Sequence, residues 1–518
     1  MRKKSLILIL LFMAHSIILF GCMKDWDIDD KAKATQYIIA SNRDWGLPSP
    51  YLIVPRGPAF VRLQLVFDSL VWKDKDGNLI PQLAKEWKYD KDKFEYSFVL
   101  NENIKWHDGE KLNADDVVFT VNYMKKHKLS WIDLSIIDKA IRKNEYEVVF
   151  KLKDHYSPFL SSIGNGMVII PEHIYSKIDD PFGTFTKDVS IGSGPFVLES
   201  YSPEEGNYSF KAFSDYYNGS QLFEKIKFLS IGMEMQSSAI INGEVDLIRP
   251  SGDGVDKLLS EGFNNISSYG LGVRLKFNTK RKPFDNKNMR QAIAYAIDTD
   301  EVIKIAQRGY AYSGDTGLIR KESEFYSEDV KEYPLSIEKT KDLMKSLGYE
   351  KEEGYYSKDG EILEIELLGY DIVNRDMEVI ASQLSRAGFK IKLLFKDIPT
   401  CEELIYDRNF DIAFASDAMT GDPVYLNSII LPDSGIGDYI DNPRLKELLV
   451  KQVSTFDNNE RSKYLREIQN IYSEELPSYQ LFYYRFDTVF NDKMDVYYTK
   501  SGIGFGVPHP FNKLMYLE

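Results

Sequence analysis

Residues 104–119 read Ile104-Lys-Trp-His-Asp-Gly-Glu-Lys-Leu-Asn-Ala-Asp-Asp-Val-Val-Phe119. Asp108-Gly109 is a turn signal, because glycine supplies the positive φ that tight turns need. Asn113 precedes Ala114-Asp115-Asp116, which predicts a helix start with carboxylates facing the positive end of the helix dipole. Val117, Phe119, Val121 and Met124 then supply the apolar side of that helix. Upstream, residues 94–100 (Phe-Glu-Tyr-Ser-Phe-Val-Leu) alternate with period two, as a half-buried strand does. Residues 145–152 alternate in the same way, and both runs fit one small sheet.

Farther out, the same mixture continues. Residues 37–40 form a short apolar run that predicts the first strand. Asp76-Gly77 and Asp359-Gly360 are turn signals between strand-like runs. A helix capped by Asp285 or Asn286 carries Met289, Ile293 and Ile297 on one face. Ser336 opens a helix that stops at Gly348, and a helix lined by Met377, Ile380 and Leu384 stops at Gly388. Asn442-Pro443 is a cap followed by proline at the first helical position. Residues 457–474 predict the longest helix, ending before Pro477. Strands alternating with helices place the chain in the α/β class. All six tryptophans fall between Trp26 and Trp131, so the N-terminal part reads as a different unit from the centre.

The 518 residues carry a net charge of −14, which argues against a nucleic-acid binder. Only Cys22 and Cys401 are present, too few for a disulfide scaffold or a cysteine-rich zinc site. The Ser, His and Gly patterns of hydrolases, phosphate-binding loops and zinc proteases are all missing. At the start, Arg2, Lys3 and Lys4 precede an apolar run from Leu6 to Phe20, the layout of a secretory signal. Leu19-Phe20-Gly21-Cys22 resembles a bacterial lipobox, which implies lipidation at Cys22. An ordinary signal peptide, or an uncleaved anchor, with Cys22 incidental is the alternative. Residues 1–21 are then a lipoprotein signal peptide, and residues 22–35 a polar, lipid-anchored tether. Cys401 is left as a lone buried thiol.

The opening stretch is one of an ordered series of motifs. Ile80-Pro-Gln-Leu-Ala-Lys-Glu-Trp87 stands before it, and Ile170-Pro-Glu-His-Ile174 and Gly192-Ser-Gly-Pro-Phe196 follow. Leu275-Lys-Phe-Asn278 leads into Arg290-Gln-Ala-Ile-Ala-Tyr-Ala-Ile-Asp298. Asp422-Pro423, Asn442-Pro443 and Leu476-Pro477 close the set. This series resembles the extracellular solute-binding proteins of peptide/nickel-type ABC importers, solute-binding family 5. The resemblance implies a two-lobed periplasmic-binding-protein-like clamshell, type II, of the large class with an extra subdomain. Lobe I is expected from residues 36–275 plus 481–518, with an inserted subdomain at about 67–186. Lobe II is expected from residues 276–480. Ligand is then held between lobes that close by a hinge. Most of the motif residues also have plain structural readings as turns, caps and loops, His107 and His173 among them.

The resemblance also suggests where ligand sits. Peptide-binding members hold the ligand's ammonium group with an aspartate on a lobe II loop, near an Asp-Pro pair. Here that places Asp417, with Asp422 as alternate; a buried ammonium group needs such a carboxylate. The spacing between Asp417 and Asp422-Pro423 is longer than the family's usual one. Tyr370, at the end of a strand, matches a family position that reaches the cleft, or is a surface tyrosine. Arg56 lies in an early Gly/Pro-rich loop, where it would fork onto a ligand carboxylate or stay on the surface. Trp45 and Tyr51 flank that loop as a candidate aromatic wall.

The implied function is capture of a small solute, a short peptide first, for an ABC permease and its ATPase subunits. The chain would act as a monomer held to the outer face of the membrane, without a cofactor and without enzymatic activity. Nickel or a metal–chelator complex is the alternative ligand, with His509 the candidate for metal contact. A secreted hydrolase is the distant alternative, lacking a nucleophile–base pair in the sequence.

Overall fold

The computed structural model describes residues 34–250, 252–419, 421–431, 437–500, 502–503 and 511–518. The signal segment, Cys22, nearly all of the tether, and His509 lie outside the described residues.

The fold is α/β. Its spine is one eleven-stranded sheet. In spatial order its main path is Lys390–Lys396, Glu364–Tyr370, Ile412–Asp417, Asn264–Phe277, Ser478–Phe490, Leu247–Ile248, Ala34–Ser41, Phe223–Ser230, Asn207–Ala212 and Phe196–Ser202; Ala311–Ser313 joins at Ser478–Phe490. Asn264–Phe277 and Ser478–Phe490 are far longer than their neighbours and run antiparallel along most of their length. These two crossing strands tie two separate cores together. One core gathers buried side chains from Tyr37 to Leu247 and takes in Phe490, Met494, Phe511, Met515 and Tyr516. Others gather around Val273, Leu275 and Leu367, and around Leu449, Tyr472 and Tyr483. The result is two lobes on a shared two-strand bridge.

The opening stretch explains much of the first lobe. Trp106 is fully buried. Gly109 takes φ 92° at the turn, and its N–H reaches the Trp106 carbonyl at 2.9 Å. Asn113 caps the helix Ala114–Lys126 through a capping box: its side chain accepts from the Asp115 N–H, and Asp116 accepts from the Asn113 N–H. The helix abuts a four-stranded sheet ordered Ala84–Asp90, Glu95–Leu100, Glu147–Leu152, Ile137–Asn144. Both alternating runs therefore share one small sheet, as read. Phe94 is left in the preceding turn at φ 56°.

Three of the quoted motifs meet in space. Asp116 accepts from the Glu172 N–H at 3.0 Å, and His173 Nε2 lies 2.7 Å from Asp108. His107 Nδ1 accepts from the Gly192 N–H, and its Nε2 lies 2.9 Å from the Gly194 carbonyl. A Cβ on Gly192 would stand 1.9 Å from the Val66 carbonyl oxygen, so only glycine lets this loop close on the helix Gly57–Val66. These motifs hold the scaffold.

Elsewhere the caps fall where the sequence puts them, at Asn286, Ser336, Asn442 and Asp457. One helix is shorter than its apolar spacing suggested. It ends at Ala294, and Asp298 caps a new helix, so Ile297 belongs to the link between them. Among the described residues no helix is long and apolar enough to cross a membrane.

Candidate functional site

The direction of the strands locates the cleft. Leu247 and Ile248 pair antiparallel with Phe490 and Val489, so that strand runs toward the second lobe. Ile412–Asp417 pairs antiparallel with the other crossing strand, Ile412 opposite Phe277 and Asp417 opposite Gly272, so it runs toward the first lobe. Ala34–Ser41 is parallel to Leu247–Ile248, and Glu364–Tyr370 is parallel to Ile412–Asp417. The carboxyl ends of two parallel strand sets therefore face each other across the bridge. Open α/β sheets bind ligands outside those ends.

Asp417 and Tyr370 stand at those ends in the second lobe. Asp417 Oδ2 pairs with Arg274, at 2.8 Å from Nε and 2.7 Å from the guanidinium's second nitrogen. No hydrogen bond from a described residue reaches its Oδ1. Arg274 is fully buried and also pairs with Asp438, which Tyr472 hydrogen-bonds and which has Lys276 at 3.3 Å. Burial opposes the Asp438 charge, but Arg274 and Lys276 outweigh it and hold the carboxyl below its ordinary range. Arg274 and Asp438 thus lock Asp417 in position through one oxygen.

Burial pushes the Tyr370 phenol up to about 12, helped by the charges of Asp417 and Glu402, while Arg56 pulls the other way. Arg56 comes from the first lobe, at the start of Gly57–Val66, and reaches Glu402 of the second lobe at 3.5 Å. Arg56, Tyr370 and Asp417 are thus gathered at one place between the lobes. This placement is what the spacing of the motifs could not supply.

The other three named residues sit elsewhere or deeper. Asp422 is saturated: Arg461 holds both oxygens, the Val424 N–H donates to one, and Ser161 of the first lobe donates to the other at 3.2 Å. It is a joint between lobes. Trp45 is buried, with Arg43 4.3 Å above its ring, and its Nε1 has no partner among the described residues. Tyr51 is enclosed by Tyr123, Tyr175, His127 and Phe182 within the first lobe. Cys401 is buried beneath Tyr370's strand, its thiol pushed up to about 11 by burial, with Sγ 3.3 Å from the Gly369 carbonyl. Among the described residues no group of three or more His, Cys, Asp or Glu side chains is placed to hold a metal ion.

Sequence reading passed over Arg274, Glu402 and Asp438. Arg274 did leave a signal. Arg274 and Lys276 alternate with Val273, Leu275 and Phe277, a charged stripe on a strand otherwise built for a core.

Comparison with known proteins agrees with this geometry. Residues 78–436 match the family described as bacterial extracellular solute-binding proteins, family 5 Middle. The chain belongs to that family. The family consists of extracellular substrate-binding proteins that work with ABC permeases, not of enzymes. Among curated relatives, the dipeptide-binding protein of Escherichia coli is 28% identical over 299 residues, 53% of this chain and 56% of that one. The oligopeptide-binding protein AppA of Bacillus subtilis is 24% identical over 371 residues, 67% of this chain and 66% of its own. These alignments thus span just over half and about two thirds of the two relatives. Among solved structures, NikZ from Campylobacter jejuni in complex with Ni(L-His) superposes with a TM-score of 0.79. It is 23% identical, and the match covers 94% of this chain and all of that one. That likeness supports the two-lobed fold.

Proposed function

We propose that this protein captures a short peptide between its lobes and delivers it to an ABC permease and its ATPase subunits. The observation that carries the reading is Asp417: a carboxylate at a cleft-facing strand end, fixed through one oxygen by Arg274, with no hydrogen bond from a described residue to the other. An ammonium group placed there gains a charge-assisted hydrogen bond without disturbing the buried ion pairs. We place the hinge at the irregular pairing between Tyr269 and Gly272, opposite Arg485 and Tyr483. That is a few residues from the boundaries expected at 275/276 and 480/481. Residues 67–186 form the inserted subdomain.

Native mass spectrometry of the purified protein tests the peptide reading. Short peptides should be retained, and Asp417→Asn should abolish their retention while the fold survives on the Arg274–Asp438 pair. The reading fails if a peptide library produces no thermal shift while nickel or a nickel chelate does. Lipidation at Cys22, and a monomer held on the outer membrane face, complete the proposal on the lipobox-like sequence. Cys22→Ser should move the protein from the membrane to the soluble fraction; continued membrane retention would refute the anchor.

A further inference from the structure

Arg249 follows the strand Leu247–Ile248 directly, at its cleft-facing carboxyl end. Its guanidinium carbon lies 4.6 Å over the ring of Phe486, on the crossing strand between the lobes. It is half-buried. Burial holds its pKa below the ordinary arginine value.

Other enclosed arginines have partners, although Arg62 Nε has none among the described residues. Arg274 has Asp417 and Asp438, and Arg461 has Asp422. Arg290 donates to the carbonyls of Phe284 and Leu476, and Arg62 donates to the Pro58 carbonyl and to Ser41. Arg249 differs. Among the described residues its guanidinium has no carboxylate in ion-pair range and no hydrogen-bond acceptor. An arginine withdrawn from water without an anion is costly to keep. An aromatic face offsets part of that cost, and an arriving anion offsets more.

We propose that Arg249 is a ligand-binding residue that receives the carboxylate of the bound solute. The inference rests on the cleft reading above. Asp417 lies level with Gly272, which pairs with Tyr483, and Phe486 is three residues further along the same strand, so Arg249 stands beside the bridge between the lobes, as Asp417 does.

The test uses three probes on the full mature protein: trialanine, its C-terminal amide, and the nickel–L-histidine complex. Affinities are measured for wild type, Arg249→Lys and Arg249→Gln. Wild type should prefer trialanine to the amide by at least about tenfold, the worth of one strong charge-assisted contact. Arg249→Gln should bind trialanine at least about tenfold more weakly and lose the preference, with Arg249→Lys between them. The ligand-free Gln variant should melt no lower than wild type, because the cation it removes has no anionic partner among the described residues; a purely structural arginine would lower the midpoint.

Equal binding of acid and amide by wild type overturns the proposal without any variant. Undiminished trialanine binding by Arg249→Gln overturns it while leaving the peptide reading in place. If trialanine fails to bind but nickel–histidine binds and is weakened in Arg249→Gln, the carboxylate role stands and the peptide reading falls. If no probe binds, both fall.

Discussion

His107 shows how a signature residue can serve the fold alone. Its ring joins two glycine backbones, and burial lowers its pKa from 6.5 to about 4. The neutral ring accepts at Nδ1 and donates at Nε2, so protonation would break the Gly192 bond. The unfolded chain takes up this proton first. The contribution to stability is therefore full above about pH 6.5 and is lost as pH falls toward 4. The shift corresponds to at most about 3 kcal/mol. Denaturant unfolding at a series of pH values should show wild type losing stability over this window faster than His107→Gln. Parallel curves would mean that the ring is protonated in the native state. The candidate site was partly legible at this scale. Tyr370 and Asp417 were named through the family resemblance, Asp417 by its nearness to an Asp-Pro pair and Tyr370 by its place at the end of a strand. Arg249 was not, since a lone arginine before a proline looks like any surface arginine until its missing partner is seen.

Elements were the most legible part of the chain. Caps and turns act within four residues, so Asn113, Ser336, Asn442 and Asp457 announced their helices. The bridge was not legible, because its meaning lies in a pairing across more than 200 residues. Asn264–Phe277 carries glycines at 270 and 272, which by sequence alone weaken a strand. In the fold they mark the register shift between the lobes. A Cβ on Gly270 would stand 2.8 Å from the Phe486 ring and 2.9 Å from the Tyr484 carbonyl oxygen. Gly270→Ala must therefore displace the ring on which Arg249 rests. Overpacking of this kind costs about 1–3 kcal/mol. Thermal unfolding should register that loss, and solute affinity should drop with it. An unchanged affinity at a lowered melting temperature would separate Phe486 from the binding surface.

At the scale of the whole molecule, the segment proposed as an inserted subdomain, residues 67–186, reaches the second lobe. Tyr89 stacks on Phe456 of the second lobe with ring centres 4.6 Å apart, and the Ser157 N–H reaches the Val453 carbonyl. Ser161 meets Asp422 on the same side. Arg56 and Glu402 meet near the cleft, but both are more than half exposed, and an exposed pair adds at most about 1 kcal/mol. The aromatic seam is the better lever on closure. Phe456 lies on the link between the helices Pro443–Ser454 and Asn458–Glu475, outside every core, so its removal spares the fold. Losing such an aromatic pair is worth about 0.5–1.5 kcal/mol, all of it from the state in which the subdomain meets the second lobe. If that state is the binding-competent one, the competent fraction falls and the apparent affinity falls in proportion. Phe456→Ala should therefore bind solute about 2- to 10-fold more weakly, although Phe456 has no place in the proposed ligand contacts. Solution scattering should show the ligand-free variant with a larger radius of gyration than wild type, and the two should coincide at saturating ligand. If the radii match without ligand and the affinity is unchanged, the seam rides with one lobe and closure turns on the crossing strands alone.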